Sequence, residues 1–302
     1  MIKQLILGLD NGNKNTKSSE GFIGDSGYVK SDVMPVSKHN LLEYGGNYYN
    51  VGSNRFSVQL DKTVNDDAFI ISLAAIGDAL EKAGINDEKV DVLLGTGLPI
   101  VHYGKLKGKF RDYFNRKDIR FTYNSREYEI DIDSKVYPQG FAAFTFLYTA
   151  YKNVVCNLVD IGGYTVDLMR IENGIINPAT CFSLPYGVIT LLTSIQQELL
   201  KINVTLTESQ ISDIIMGVQP VIFDIEVKEL IQAKTGEYVD NLLSKILELG
   251  FELRNANIFA GGGSMLVKGY IDSSNKVKFA EYLDLFSNAK GYKLLLQQEL
   301  RR

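Results

Sequence analysis

The chain alternates between short apolar runs of strand period and longer amphipathic runs of helical period. Residues 5–9 form an apolar run that predicts a buried strand. It enters Asp10-Asn11-Gly12-Asn13-Lys14-Asn15, and an extended stretch follows through Thr16 to Ile23. This reads as a hairpin, with glycine and asparagine at a tip where positive φ is tolerated. Short β-like pieces are expected at 28–36, 41–44 and 48–51. Over 67–84, Ile70, Leu73, Ala74, Ile76, Gly77 and Leu80 make one helical face, and Gly84 ends it. A strand at 90–94 leads into Gly95-Thr96-Gly97-Leu98-Pro99. Helix is expected at 105–114, paired strands at 119–123 and 128–132, and helix again at 142–151.

A second strand–loop–strand runs from Val154 through Asp160-Ile161-Gly162-Gly163-Tyr164-Thr165 to Met169. Helices are predicted at 184–200, at 207–216 and, long and charged, at 223–250. Thr207 with Gln210 three residues on reads as a capping box. A strand at 257–260 enters Gly261-Gly262-Gly263-Ser264-Met265-Leu266. No low-complexity linker divides the chain, so two halves with a continuous interface are expected.

Composition narrows the chemistry. The 302 residues suffice for two ordinary domains or one large α/β unit. With 32 basic and 36 acidic side chains there is no global field for gripping nucleic acid. A basic stretch (Lys105, Lys107, Lys109, Arg111, Arg116, Lys117) is interrupted by Asp112 and Asp118, which favours a solvated helix face. Two cysteines outside any CxxC pattern and two isolated histidines argue against disulfide, zinc-cysteine and histidine-rich metal sites. The opening apolar run is broken at once. No later stretch approaches the ~18 uncharged apolar residues of a spanning helix, so a soluble, cytoplasmic protein with no membrane contact is expected.

The two halves resemble each other. Aligning Asp10 with Asp160 also aligns Gly12 with Gly162, at an offset of half the chain. Either loop alone reads equally well as a turn capped by aspartate. The pair suggests a duplicated α/β domain with a ligand in the cleft between the copies. Glycine-rich hairpins present backbone N–H groups to phosphate oxygens, and an aspartate at each strand end can hold Mg²⁺ through its waters. Lys14 or Lys17 would neutralise phosphate charge. Gly261-Gly262-Gly263-Ser264, after a strand and before a helix, lets backbone approach a flat or anionic ligand. There is no Walker A loop and no Rossmann fingerprint.

These residues, in this order, resemble the actin, Hsp70 and sugar-kinase superfamily, and within it the plasmid-segregation actins of the ParM (StbA) group. Asp10 to Lys17 looks like the first phosphate loop and Asp160 to Asp167 like the second. Tyr137-Pro138-Gln139-Gly140-Phe141-Ala142-Ala143 looks like the first connecting segment, and Gly261 to Leu266 like the adenosine motif. Gly97-Leu98-Pro99-Ile100 and Asn288-Ala289-Lys290-Gly291-Tyr292 are similar to the narrower ParM signals, with Lys290 at the usual arginine. Gln139 stands where ParM relatives carry glutamate and actin carries glutamine. Glutamine orients water but does not accept its proton at neutral pH.

The resemblance implies two RNase H-like α/β domains with mixed central sheets flanking a nucleotide cleft. Residues 1–145 with the tail 286–302 would form the first and 146–285 the second, with insertions near 28–65 and 190–250. It implies an ATPase that couples hydrolysis to filament assembly. ATP is the expected nucleotide, with GTP left open, and Mg²⁺ the metal, held by Asp10 and Asp160 through water. Gly12, Asn13, Lys14, Asn15 and Lys17 would cradle the phosphates from one side, and Gly162, Gly163, Tyr164 and Thr165 from the other. Gly261, Gly262, Gly263, Ser264 and Met265 would pack on the adenosine. Gln139 and Asp160 would be catalytic. The expected partners are further copies of the chain and a DNA-binding adaptor protein, with plasmid or other extrachromosomal DNA as cargo and no direct DNA contact. The alternative is a small-molecule kinase of the same fold, for which no aspartate base motif is found.

Overall fold

A computed structural model describes residues 3–36, 38–85, 89–218 and 224–301. The chain forms two compact units, Met1–Phe146 with Phe286–Arg302, and Leu147–Leu285.

In the first unit, β1 (Lys3–Asn11) pairs antiparallel with β2 (Asn15–Ser18), which pairs with β3 (Ile23–Ser31). β4 (Leu41–Tyr44) and β5 (Asn47–Gly52) extend this meander, and α1 (Asp67–Lys82) follows. β6 (Val90–Leu98) then lies parallel to β1, and α2 (Ile100–Phe114) leads to β7 (Ile119–Tyr123) and β8 (Arg126–Pro138). The mixed sheet closes on itself in the order β1-β2-β3-β5-β4-β7-β8-β6. Closure explains α1. Its sequence pattern predicts one buried face, yet twelve of its sixteen residues are buried, because α1 packs against β1, β2, β3, β4, β5 and β7.

Two strands outrun their expected ends. β6 continues through Gly95 and Gly97 to Leu98, and β8 continues to Pro138, the two pairing in parallel along their length. The expected helix over 142–151 is broken into α3 (Phe141–Phe144) and α4 (Tyr148–Tyr151).

The second unit has the sheet order β11-β10-β9-β13-β14, with β12 also on β10. β9 (Cys156–Ile161) and β10 (Val166–Glu172) form an antiparallel hairpin. β11 (Ile175–Ile176) and β12 (Phe182–Leu184) follow, and β12 takes up Leu184, where a helix was expected to start. α5 (Val188–Lys201) begins only after Gly187. α6 (Glu208–Met216) carries the Thr207–Gln210 capping box read from the sequence. α7 (Ile225–Glu248) buries Val227, Ile231, Tyr238, Val239, Leu242, Leu243 and Ile246 on one face; Phe223, where that helix was expected to start, lies outside the described residues. β13 (Ala256–Ala260) runs parallel to β9, α8 (Gly261–Leu266) and α9 (Lys268–Asp272) follow, and β14 (Phe279–Tyr282) closes the edge.

The chain returns to the first unit as α10 (Ser287–Leu300), which lies on β1, β6 and α3. The Gly95-Thr96-Gly97 and Asn288-to-Tyr292 motifs meet here. Tyr292 is fully buried and stacks on Tyr137 with ring centroids 6.3 Å apart. A β carbon on Gly95 would lie 2.9 Å from the Tyr292 carbonyl oxygen, and one on Gly97 would overlap the Tyr292 phenol. Asn288 Oδ1 accepts the Gly140 amide at 2.9 Å and so fixes the turn after β8. No helix among the described residues is long and apolar enough to cross a membrane.

Candidate functional site

The β1–β2 hairpin of the first unit and the β9–β10 hairpin of the second both carry glycine in the turn, and the two are built alike. In the first, Asp10 ends the apolar part of β1 and stands opposite Lys17 on β2. Both are buried and form an ion pair at 3.5 Å. Gly12, Asn13 and Lys14 make the turn, and Asn15 and Lys17 lie on β2. Ser26 on β3 braces the turn: its hydroxyl donates to the Gly12 carbonyl at 2.7 Å and its amide to the Lys14 carbonyl at 2.9 Å. The Gly12 and Asn13 amides meet no acceptor among the described residues.

In the second hairpin Asp160 is buried near the end of β9, opposite Asp167 on β10. Gly162, Gly163, Tyr164 and Thr165 form the turn, closed by the Gly162 amide on the Thr165 carbonyl at 2.9 Å. The start of α5 occupies the turn's carbonyls: the Val188 amide donates to Gly162 at 3.1 Å, Ile189 to Gly163 at 2.8 Å and Gly187 to Tyr164 at 2.8 Å. The Gly163 and Tyr164 amides meet no acceptor among the described residues. In the second turn all the carbonyls, and in the first those of Gly12 and Lys14, are bound within the protein, and adjacent amides are left over. That is the arrangement of an anion-binding loop.

Asp167 and Lys17 occupy the same register position in the two hairpins, each opposite the strand-end aspartate. The sequence motif ends on Asp167 without giving it a role, although the alignment that pairs Asp10 with Asp160 pairs Lys17 with it. Burial pushes the Asp167 carboxyl up to about 6, opposed by the nearby hydroxyls of Ser183 and Thr165. The Thr165 hydroxyl lies 3.2 Å from Oδ2, while Oδ1 is buried with no hydrogen-bond partner.

The glycine segment forms the first turn of α8 and packs on the second hairpin. Gly261 has φ +82, and a β carbon there would overlap the Asp160 carboxylate and lie 2.5 Å from the Ile161 carbonyl oxygen. Gly262 follows within the turn, and Ser264 is buried with its hydroxyl on the Ala260 carbonyl. Gly263 sits against Ile161 and Val188, whereas Met265 is exposed. Gln139 follows β8, its amide on the Leu98 carbonyl at 2.8 Å and its carbonyl accepting from Phe141 at 2.8 Å.

Lys62 carried no sequence signal: it is one lysine in a polar segment. It lines a pocket with Asn11, Gly12, Asn13 and Gln59, and its ammonium donates to the Asn11 carbonyl. Burial pushes it down to about 8, partly countered by the Asp10 carboxylate.

Taken separately, each hairpin offers two spare amides that suit phosphate oxygens and one strand-end carboxylate, a hard oxygen ligand of the kind Mg²⁺ takes. No group of three or more acidic, histidine or cysteine side chains able to hold a metal occurs among the described residues.

Known proteins give the same picture of the fold. The family model described as the actin-like proteins N-terminal domain matches residues 8–141, and the archaeal actin homologue MreB-like C-terminal model matches 158–273. No curated protein matches the sequence. Among solved structures, the archaeal actin homologue Ta0583 superposes with a TM-score of 0.75 at 20% identity, covering 97% of this chain and 99% of its own. A 15-stranded ParM filament from Clostridium botulinum gives 0.78 at 16% identity, covering 99% and 100%. Bacillus thuringiensis ParM with ATP gives 0.70 at 13% identity, covering 99% and 100%. With both hairpins in place and a matching family model over each half, the chain is an actin-like protein, with an N-terminal domain of that family and an archaeal MreB-like C-terminal domain.

Proposed function

We propose that the chain binds and hydrolyses ATP with Mg²⁺ and assembles into filaments, and that in the cytoplasm these segregate plasmid or other extrachromosomal DNA through a DNA-binding adaptor. The observation that carries the nucleotide reading is the repeated hairpin, with a buried strand-end aspartate beside amides that lack protein acceptors. In this reading Gly12, Asn13, Lys14, Asn15 and Lys17 hold phosphates on one side. Gly162, Gly163, Tyr164 and Thr165 hold them on the other. Asp10 and Asp160 hold the hydrated metal, which when bound neutralises phosphate charge. Gly261 to Met265 pack on the adenosine, and Gln139 orients the attacking water.

Filament assembly is supported by the fold's likeness to a ParM filament. Head-to-tail contacts between copies give open filaments when the rotation does not close. The test is light scattering with ATP and Mg²⁺, with phosphate release followed in parallel. Scattering should rise, and Gln139→Ala should slow phosphate release while scattering persists longer. Asp160→Ala should abolish hydrolysis. A chain that never scatters up to its solubility limit is no filament former. Phosphate transfer to added sugars would instead establish the kinase alternative. Competition between ATP and GTP settles the base. Bare filaments should not co-sediment with duplex DNA at physiological salt; if they do, the adaptor is dispensable.

A further inference from the structure

Three acidic residues flank Lys62 on its own segment, and each is engaged elsewhere. Asp61 pairs with Lys109 at 2.6 Å and accepts from the Thr63 amide and hydroxyl at 2.9 and 2.6 Å. Asp66 pairs with Arg116 at 2.6 Å. Asp67 accepts from the Tyr28 hydroxyl at 2.6 Å, the Gln59 amide group at 3.1 Å and Asn65 at 2.8 Å. Asp10, across the loop, is already paired with Lys17. Lys62 is thus left with a neutral carbonyl, that of Asn11, and no carboxylate within ion-pair distance among the described residues. Lys62 is half-buried, and the desolvation of its ammonium carries a cost that only an anion would offset fully. Its segment is also docked on the turn, since the Gln59 amide donates to Asn13 Oδ1 at 3.3 Å.

We propose that Lys62 is a second phosphate-compensating cation of the first hairpin, seated on the Asn11 carbonyl so that a polyphosphate bound at the Gly12 and Asn13 amides completes its charge. This rests on the nucleotide reading and adds a residue to it. Lys62 then distinguishes ligands by phosphate number and has no part in recognising the nucleoside.

The test compares the parent, Lys62→Met and Lys62→Arg for binding of ATP, AMP and tripolyphosphate by calorimetry, with thermal unfolding as a check on folding. Lys62→Met should weaken ATP and tripolyphosphate at least tenfold and leave AMP within about twofold, and Lys62→Arg should recover most of the loss. Equal ATP affinity in Lys62→Met and the parent overturns the inference, as does equal loss for ATP and AMP, which marks a structural role. A parent that binds no nucleotide sinks the nucleotide reading. Tripolyphosphate then decides the inference: binding by the parent but not by Lys62→Met upholds it, and no binding by the parent overturns it.

Discussion

Asp167 stands directly opposite Asp160 on the β9–β10 ladder, so two carboxylates share one face where the first hairpin has the Asp10–Lys17 ion pair. Burial holds the Asp167 proton up to about 6, above the ordinary aspartate value of 3.8. Between those values the folded chain binds more protons than the unfolded one, so stability falls as pH rises through the window. Over two pH units the loss attributable to this carboxyl is about 2–3 kcal/mol. Asp167→Asn should remove it. Urea unfolding from pH 4 to 7 should show the variant gaining on the parent as pH rises; parallel curves would remove Asp167 as the cause.

Gly97→Ala should destabilise the first unit by about 1–3 kcal/mol, because the added methyl must displace the buried Tyr292 ring from β6. Tyr292→Leu in the same chain should recover part of that loss, since neighbouring substitutions are not additive. Chemical denaturation of the two single variants and the double variant measures the coupling.

Gly261→Ala combines a positive φ with overlap on the Asp160 carboxylate. The backbone alone costs about 1–2 kcal/mol for a residue with a β carbon. Stability and ATP affinity should therefore fall together. An alanine variant that keeps parental affinity would show that the position of Asp160 is not coupled to α8.

The two thiols should separate by reactivity. Cys156 is fully buried, and burial pushes its thiol up to about 11; Cys181 is half-buried, its thiol raised by burial to a smaller extent. At pH 8 a disulfide reagent should modify Cys181 in the folded chain and reach Cys156 only on unfolding. Two equally fast thiols would contradict the burial of β9.

The hairpins, the glycine segment and the Thr207 cap were readable in the sequence because each depends on neighbours within a few residues. What stayed hidden depends on distant ones. Gly95 and Gly97 read as a loop, since nothing local shows that Tyr292 would need a strand without side chains beneath it. The helix over 142–151 looks continuous until the short turns around Thr145 and Leu147 are seen. α1 shows one apolar face because periodicity does not report that a sheet will curl around it. Lys62 becomes visible only when the acids beside it are found paired with Lys109 and Arg116.

The return of α10 to the first unit sets an order of events during synthesis. The groove over Gly8, Gly95 and Gly97 is translated early, but the helix that covers it follows the whole of residues 147–285. At about 5–20 residues per second that groove waits on the order of 10 s for its cover. A nascent chain therefore carries a complete ring of strands whose outer face over β1 and β6 is still bare. A ribosome stalled before Tyr292 would leave that face bare for as long as the stall lasts.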